Sequence, residues 1–295
     1  MEKDQKKAYL FGISSVAIWS TVATAFKLSL KYTSVINLLF FASIVSTLVL
    51  FFTIIIEKKI EMLKQLDLKD LLYSFVLGML NPFLYYIILF YAYDLLRAQE
   101  AQAINYTWAI TLSIMAYFFL GQKLTFGDIV GLLLSYFGVY LIATKGEIFS
   151  LNFKTSPMGI VLALLSTIIW ALYWVLNTKD KLDPTLRLFL NFVFGSIAIT
   201  ILFLLNLSHN SISLYGVLGS IYVGLFEMGI TFLLWSKALK LAESTAKISI
   251  LIYLSPFLSL FFIHFLVGEK IYLSTIIALI LIISGIAIQK VWKTA

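Results

Sequence analysis

Apolar residues in this chain follow neither the stripe of a surface helix nor the alternation of a strand. They come in unbroken runs of roughly 20, each closed by a short polar turn. Ten such runs can be marked: Ala8–Leu30, Val35–Ile56, Leu71–Tyr93, Ala98–Leu120, Phe126–Thr144, Met158–Asn177, Thr185–Leu205, Leu214–Ala238, Ser244–Val267 and Tyr272–Trp292. A helix of about 20 apolar residues crosses a ~30 Å hydrocarbon core. The pattern predicts an all-α membrane protein of ten transmembrane helices. Turns such as EKKIEMLKQLDLKD and NLSHNSIS leave no room for a soluble domain.

Composition agrees. Hydrophobic residues make up 61% of the 295 and charged residues 13%, against roughly 45–50% and 25% in soluble domains. Mean hydropathy is +0.98, and the chain has no cysteine. The net charge of +7 does not point to nucleic acid, because the basic residues sit between apolar runs rather than on one face. They follow membrane topology instead. Of 22 Lys and Arg, six (Lys27, Lys31, Arg97, Lys145, Lys154, Lys270) fall on the side opposite the N-terminus. Lys247 lies in a span, and the other 15 share the N-terminal side. Both termini are therefore expected in the cytoplasm, with the protein multi-pass in the cell membrane. The first apolar run lacks a small-residue cleavage pattern and reads as a span, not a signal peptide.

The chain is written twice. Gly12-Ile13 returns as Gly159-Ile160, Gly78 as Gly224, Ala92 as Ala238 and Tyr106 as Tyr253. Gly121-Gln122-Lys123 returns as Gly268-Glu269-Lys270, and Gly138 as Gly285. Residues 1–149 and 150–295 are thus expected to be two five-helix repeats. Five is odd, so the second copy enters the membrane from the opposite side. Inverted repeats of this kind build secondary transporters, with substrate held near the midplane where the repeats meet.

Several segments carry a family likeness: Trp19 and Trp170 in the first helix of each half, LGQKLTFGDIVGLLLSYFGVYLIA from Leu120, VGEKIYLSTIIALILIISGIAI from Val267, and FEMGITFLLWSKALK with YLSPF after it. On these the chain resembles the drug/metabolite transporter superfamily, and within it the EamA-type ten-helix transporters. The resemblance covers essentially the whole chain. It implies alternating access and movement of a small organic metabolite, most often export. Two positions depart from the pattern: Gln122 stands where the family usually has an acid, and Ala109 where Pro256 stands in the second half.

Enzyme chemistry finds no foothold. His209 and His264 cannot make a metal box, no Gly-x-Ser-x-Gly elbow occurs, and Asp94 and Asp128 stand at helix ends. No catalytic residue, cofactor or metal is expected. Lys27 and Lys179 read as interface lysines. The small-residue stripes Gly127, Gly131, Ser135, Gly138 and Gly216, Ser220, Gly224 read as close-packing seams.

Glu227 is the most informative residue. It lies about 20 Å from the start of its span at 1.5 Å per residue, where a charge costs at least ~2.5–3.5 kcal/mol. It is expected to face a cavity and carry a proton or bind an amine, the alternative being a structural carboxyl. Its repeat mate is Asn81, with Tyr85 four residues on and so on the same face of a continuous helix. Pro82 and Pro256 mark bends, either cavity-lining or simply packing kinks. Glu100 and Lys247 are also mates, lining the pathway or, respectively, sitting a turn from water and snorkelling to the interface; Lys247 can also reach back toward Glu227. Trp19, Trp170 and Trp174 lie inside their helices rather than at the ends; Trp170 and Trp174 with Tyr173 form an aromatic wall or pack plainly, and Tyr253, Asn105 and Trp108 are weaker candidates. With an acid, a base and aromatics together, an amino acid or related zwitterion is the expected substrate. Efflux of amphipathic cations, uptake, and a scaffold or sensor subunit are the rivals. The substrate and the lipid bilayer are the expected partners, with proton coupling and a homodimer left open.

Overall fold

The computed structural model describes residues 3–149, 152–206, 212–243 and 245–294, so His209 and Ser244 lie outside the described residues. Among the described residues, ten helices are long and apolar enough to cross a membrane. They are α1 (Gln5–Leu30), α2 (Val35–Ile56), α3 (Leu68–Leu95), α4 (Ala98–Leu120), α5 (Phe126–Ala143), α6 (Pro157–Asn177), α7 (Pro184–Leu205), α8 (Leu214–Leu241), α9 (Lys247–Val267) and α10 (Leu273–Trp292). Polar caps fix where they begin. Asp4, Ser34, Thr125, Ser156 and Asp183 each accept a backbone N–H of the first turn, and proline follows directly at Pro157 and Pro184. Such caps carry α1 and α3 a few residues before the apolar runs, to Asp4 and to Asp67, whose carboxylate accepts from the Asp70 N–H at 2.8 Å.

Four spans that hydropathy presents as continuous are interrupted. α3 breaks over Met79–Leu84, where Asn81 is extended at φ −145°, ψ 117°; proline disfavours the helical region for the residue before it. α8 breaks at Glu227–Gly229. The Met228 N–H shares the Val223 carbonyl with Glu227, and the Thr231 hydroxyl donates to the Phe226 carbonyl, so the freed backbone is partly recovered from within. A Cβ at Gly229 would stand 3.0 Å from the Gly224 carbonyl oxygen, a tight approach that favours glycine. α4 turns at Tyr106–Thr107, and α9 tightens over Ile250–Leu254 just before Pro256. These breaks fall at corresponding positions of the two halves: 81 with 227, and 106 with 253.

The helices form two compact units. The first, Met1–Gly78 with Asp183–Gly268, holds α1, α2, the start of α3, α7, α8 and α9. Within it α1 packs on α8 and α9, α2 on α7 and the first part of α8, and the start of α3 on α7. The second, Met79–Leu182 with Glu269–Ala295, holds the rest of α3, α4, α5, α6 and α10. There α6 packs on α3 and α4, and α5 on α10. Each of these packed pairs joins one helix from each half of the sequence. Exchanging the halves turns α1–α8 into α6–α3, and α1–α9 into α6–α4.

The small-residue seams do what their spacing suggests. At the α5–α10 contact a Cβ on Gly131 would lie 2.7 Å from the Gly285 carbonyl oxygen, and the converse holds for Gly285. Backbone touches backbone there, which lets dispersion act between helices where lipid removes any hydrophobic drive.

Candidate functional site

In the second unit the break in α3 places Asn81 in the interior, at 3% exposure, with its Oδ1 accepting no hydrogen bond. Because Asn81 is extended, the four-residue spacing to Tyr85 does not set a common helical face. That expectation is corrected by the backbone that Pro82 imposes. Tyr85 opens the next helical stretch, is buried, and lies against Trp170 of α6 with ring centroids 4.5 Å apart and planes at 30°. Tyr173 stacks on Trp170 at 5.9 Å, and Trp174 meets the same ring edge-on at 5.7 Å. Tyr173 is buried, Trp170 half-buried, and Trp174 exposed at 37%. Tyr85, Trp170 and Tyr173 thus form a run of ring contacts, with Trp174 at its exposed edge. Asn105, on α4, donates to the Ser166 hydroxyl of α6 at 3.1 Å. Trp108 is half-buried just past the turn in α4.

The first unit repeats the device with different chemistry. Glu227 stands half-buried at the break in α8. Trp19 of α1 packs on Phe232 and Trp235 just beyond that break, at 5.7 and 5.5 Å. The Thr21 hydroxyl, two residues further along α1, meets the Tyr222 hydroxyl at 2.6 Å. Tyr253 is half-buried in the tightened turn of α9. Lys247 is exposed at the start of α9, the placement of a snorkelling lysine.

Glu100 has a local role. It is buried, accepts from the Arg97 N–H at 3.3 Å and from the Thr155 hydroxyl at 2.7 Å, and so closes the first turn of α4. Glu269, in the Gly-Glu-Lys turn, was not among the expected site residues. Its carboxylate accepts the Ala98 N–H at 2.8 Å and the Gln99 side-chain amide at 3.2 Å. An acid at a helix N-terminus meets both orphan N–H groups and the positive end of the dipole. The sequence signal was the Glu269/Gln122 asymmetry, but its meaning needed α4 to be adjacent. Asp128 also has a structural place, capping α5 and accepting from Gln289 at 2.8 Å.

Chemically, each unit offers a break at span depth flanked by aromatic rings from the first helix of the opposite half. One break carries a carboxyl, the other a buried amide carbonyl.

Comparison with known proteins bears on this arrangement. The profile of the EamA-like transporter family matches residues 6–144 and again residues 157–289. An uncharacterized transporter of Clostridium kluyveri is 24% identical over 95% of this chain and 92% of its own length. Another, from Archaeoglobus fulgidus, is 29% identical over 65% of this chain and 70% of its own. The aromatic amino acid exporter YddG of Salmonella typhimurium is 35% identical, over 28% of this chain and 30% of its own. A solved crystal structure superposes with TM-score 0.64 at 18% identity, covering 99% of both chains, a likeness of fold.

Proposed function

Since the chain belongs to the EamA-like transporter family, and is accordingly a multi-pass membrane transporter of small molecules rather than an enzyme, we propose that it exports an amino acid or related amine or zwitterion across the cytoplasmic membrane by alternating access. The observation that carries this reading is the pair of helix breaks at Asn81 and Glu227, 146 residues apart. Broken helices at midplane depth are where such transporters bind their cargo. The twofold match to the family profile and the exchange of packing partners support two repeats, residues 1–149 and 150–295, in inverted topology. The side of the termini follows from the lysine and arginine bias.

In the first unit Glu227 is the proposed site for a substrate amine or a coupling proton; in the second unit Asn81 offers a free acceptor of its own. A carboxylate at this depth is expensive unless charge meets it, so cargo that supplies a cation or a proton relieves it. Within the second unit Tyr85, Trp170 and Tyr173, beside Asn81, would pack an apolar or aromatic cargo group. The name of the Salmonella relative points the same way. Lys247 is not needed in this scheme, and its exposure keeps efflux of amphipathic cations as the second reading.

The experiment is transport in proteoliposomes over a panel of labelled amino acids, amines and amphipathic cations. Saturable movement of an aromatic or zwitterionic amino acid, weakened by Trp170→Ala, supports the proposal. Movement of amphipathic cations with no amino acid transported selects the second reading.

A further inference from the structure

One end of the second unit carries two cations that, among the described residues, form no ion pair. The Arg97 guanidinium carbon stands 4.7 Å, and the Lys145 ammonium 5.3 Å, from the centroid of the Tyr272 ring. The two charges are therefore within about 10 Å of each other, close to the ~8 Å screening length of physiological salt. Three acids close in sequence are engaged elsewhere. Glu269 accepts from Ala98 and Gln99, Glu100 from Thr155, and Glu147 pairs with Lys154. Among the described residues neither Arg97 nor Lys145 forms a salt bridge. All three members are half-buried, and Tyr272 directly precedes α10, at the interfacial depth where headgroups and aromatic belts meet.

A ring face attracts cations, but a second cation drawn to it adds repulsion that the ring does not cancel. An oxyanion beside the pair would satisfy both charges, and a guanidinium offers it two parallel N–H groups. We propose that Arg97 and Lys145, held on Tyr272, form an oxyanion site that takes a phosphate or carboxylate. Its source is either the headgroup of an acidic phospholipid or a free small-molecule anion. By the number of crossings this end lies on the membrane side opposite the N-terminus. The inference concerns binding and stands apart from the transport reading.

Thermal unfolding tests it. Purified wild type and the Arg97→Gln/Lys145→Gln double variant are compared in neutral detergent with sodium phosphate or acetate against sodium chloride at equal ionic strength. The same proteins are compared in nanodiscs of phosphatidylcholine with and without phosphatidylglycerol. The wild type is expected to gain roughly 2–4 °C in at least one arm, and the double variant to lose that gain. The responding arm names the source. Lys154→Gln, whose lysine is already paired, should keep the full gain. If the double variant does not fold, Lys145→Gln alone must lose at least half of it. No gain in the wild type, or an undiminished gain in the variants, overturns the proposal.

Discussion

The two breaks share a design and differ in their polar group. At Glu227 the interruption comes from Glu-Met-Gly, the side chain is half-buried and ionisable, and Trp19 packs just beyond it on Phe232 and Trp235. At Asn81 it comes from Pro82, the side chain is fully interior and neutral, and Tyr85, Trp170 and Tyr173 stand in a continuous stack. The same backbone device thus presents a carboxyl in one unit and a lone amide carbonyl beside stacked rings in the other; on the proposed reading the two serve different kinds of recognition.

The largest effect that can break this contrast is at the polar groups. Glu227→Ala should cut transport roughly 10- to 100-fold, while Asn81→Ala, which removes a neutral acceptor, should cost roughly 2- to 10-fold. A hydrogen bond to a charged group contributes ~1.5–3 kcal/mol and a neutral one ~0.5–1.5, with ~1.4 kcal/mol to a factor of ten. Initial rates in proteoliposomes check both, and equal losses would erase the distinction. The aromatic side comes next. Trp170→Ala should raise the half-saturating concentration of an aromatic substrate about tenfold, and Trp19→Ala only a few-fold, because the stack that ends in the buried Tyr85 belongs to the Asn81 side.

A third substitution separates packing from recognition. Gly131→Leu at the α5–α10 seam should lower the unfolding midpoint by several degrees, since overpacking costs ~1–3 kcal/mol. The ratio of transported substrates should stay as in wild type; an altered ratio would mean that the seam takes part in selection.

The number and extent of the spans were legible in the sequence because burial in lipid demands about 20 apolar residues, whatever the tertiary arrangement. The bend at Asn81 was legible through Pro82. The break at Glu227 was less so: Gly229 is the sole local hint, and hydropathy runs straight through it. The turn at Tyr106–Thr107 has neither glycine nor proline nearby; it shows in the structure as the Thr107 N–H and hydroxyl both returning to the Ile104 carbonyl, at 3.0 and 2.8 Å. Pairings distant in sequence could not be read at all. Nothing in either segment says that Tyr85 meets Trp170, that Trp19 meets Trp235, or that Glu269 closes the start of α4, because each depends on which helices become neighbours.

The smallest expected effect lies outside the membrane, in the first unit. Lys59 bridges Glu57 and Asp183 at 2.6 and 2.7 Å. Partial burial works against the Asp183 carboxylate, but the Lys59 ammonium and the Leu186 and Thr185 N–H groups outweigh it, so its pKa falls below the usual carboxylate value. Partial burial likewise opposes the Lys59 charge, and the two carboxylates outweigh it and raise its pKa. A lowered acid stabilises above the unfolded value of about 3.9 and loses that contribution as pH falls through the folded pKa. A raised base stabilises below about 10.4 and loses it as pH rises through its own. The contribution, ~1 kcal/mol or less, is therefore flat between about pH 5 and 9 and fades at both ends. Unfolding midpoints of Asp183→Asn should sit slightly below wild type across that plateau and converge with it in acid.

The difference between the two breaks is tested most directly by the pH profile of substrate transport in proteoliposomes, with wild type and Glu227→Gln measured side by side. The account predicts that the wild-type rate changes with pH and that the variant is slow and insensitive to it. A variant that keeps both the wild-type rate and the wild-type profile would contradict the assignment of cargo or proton binding to Glu227.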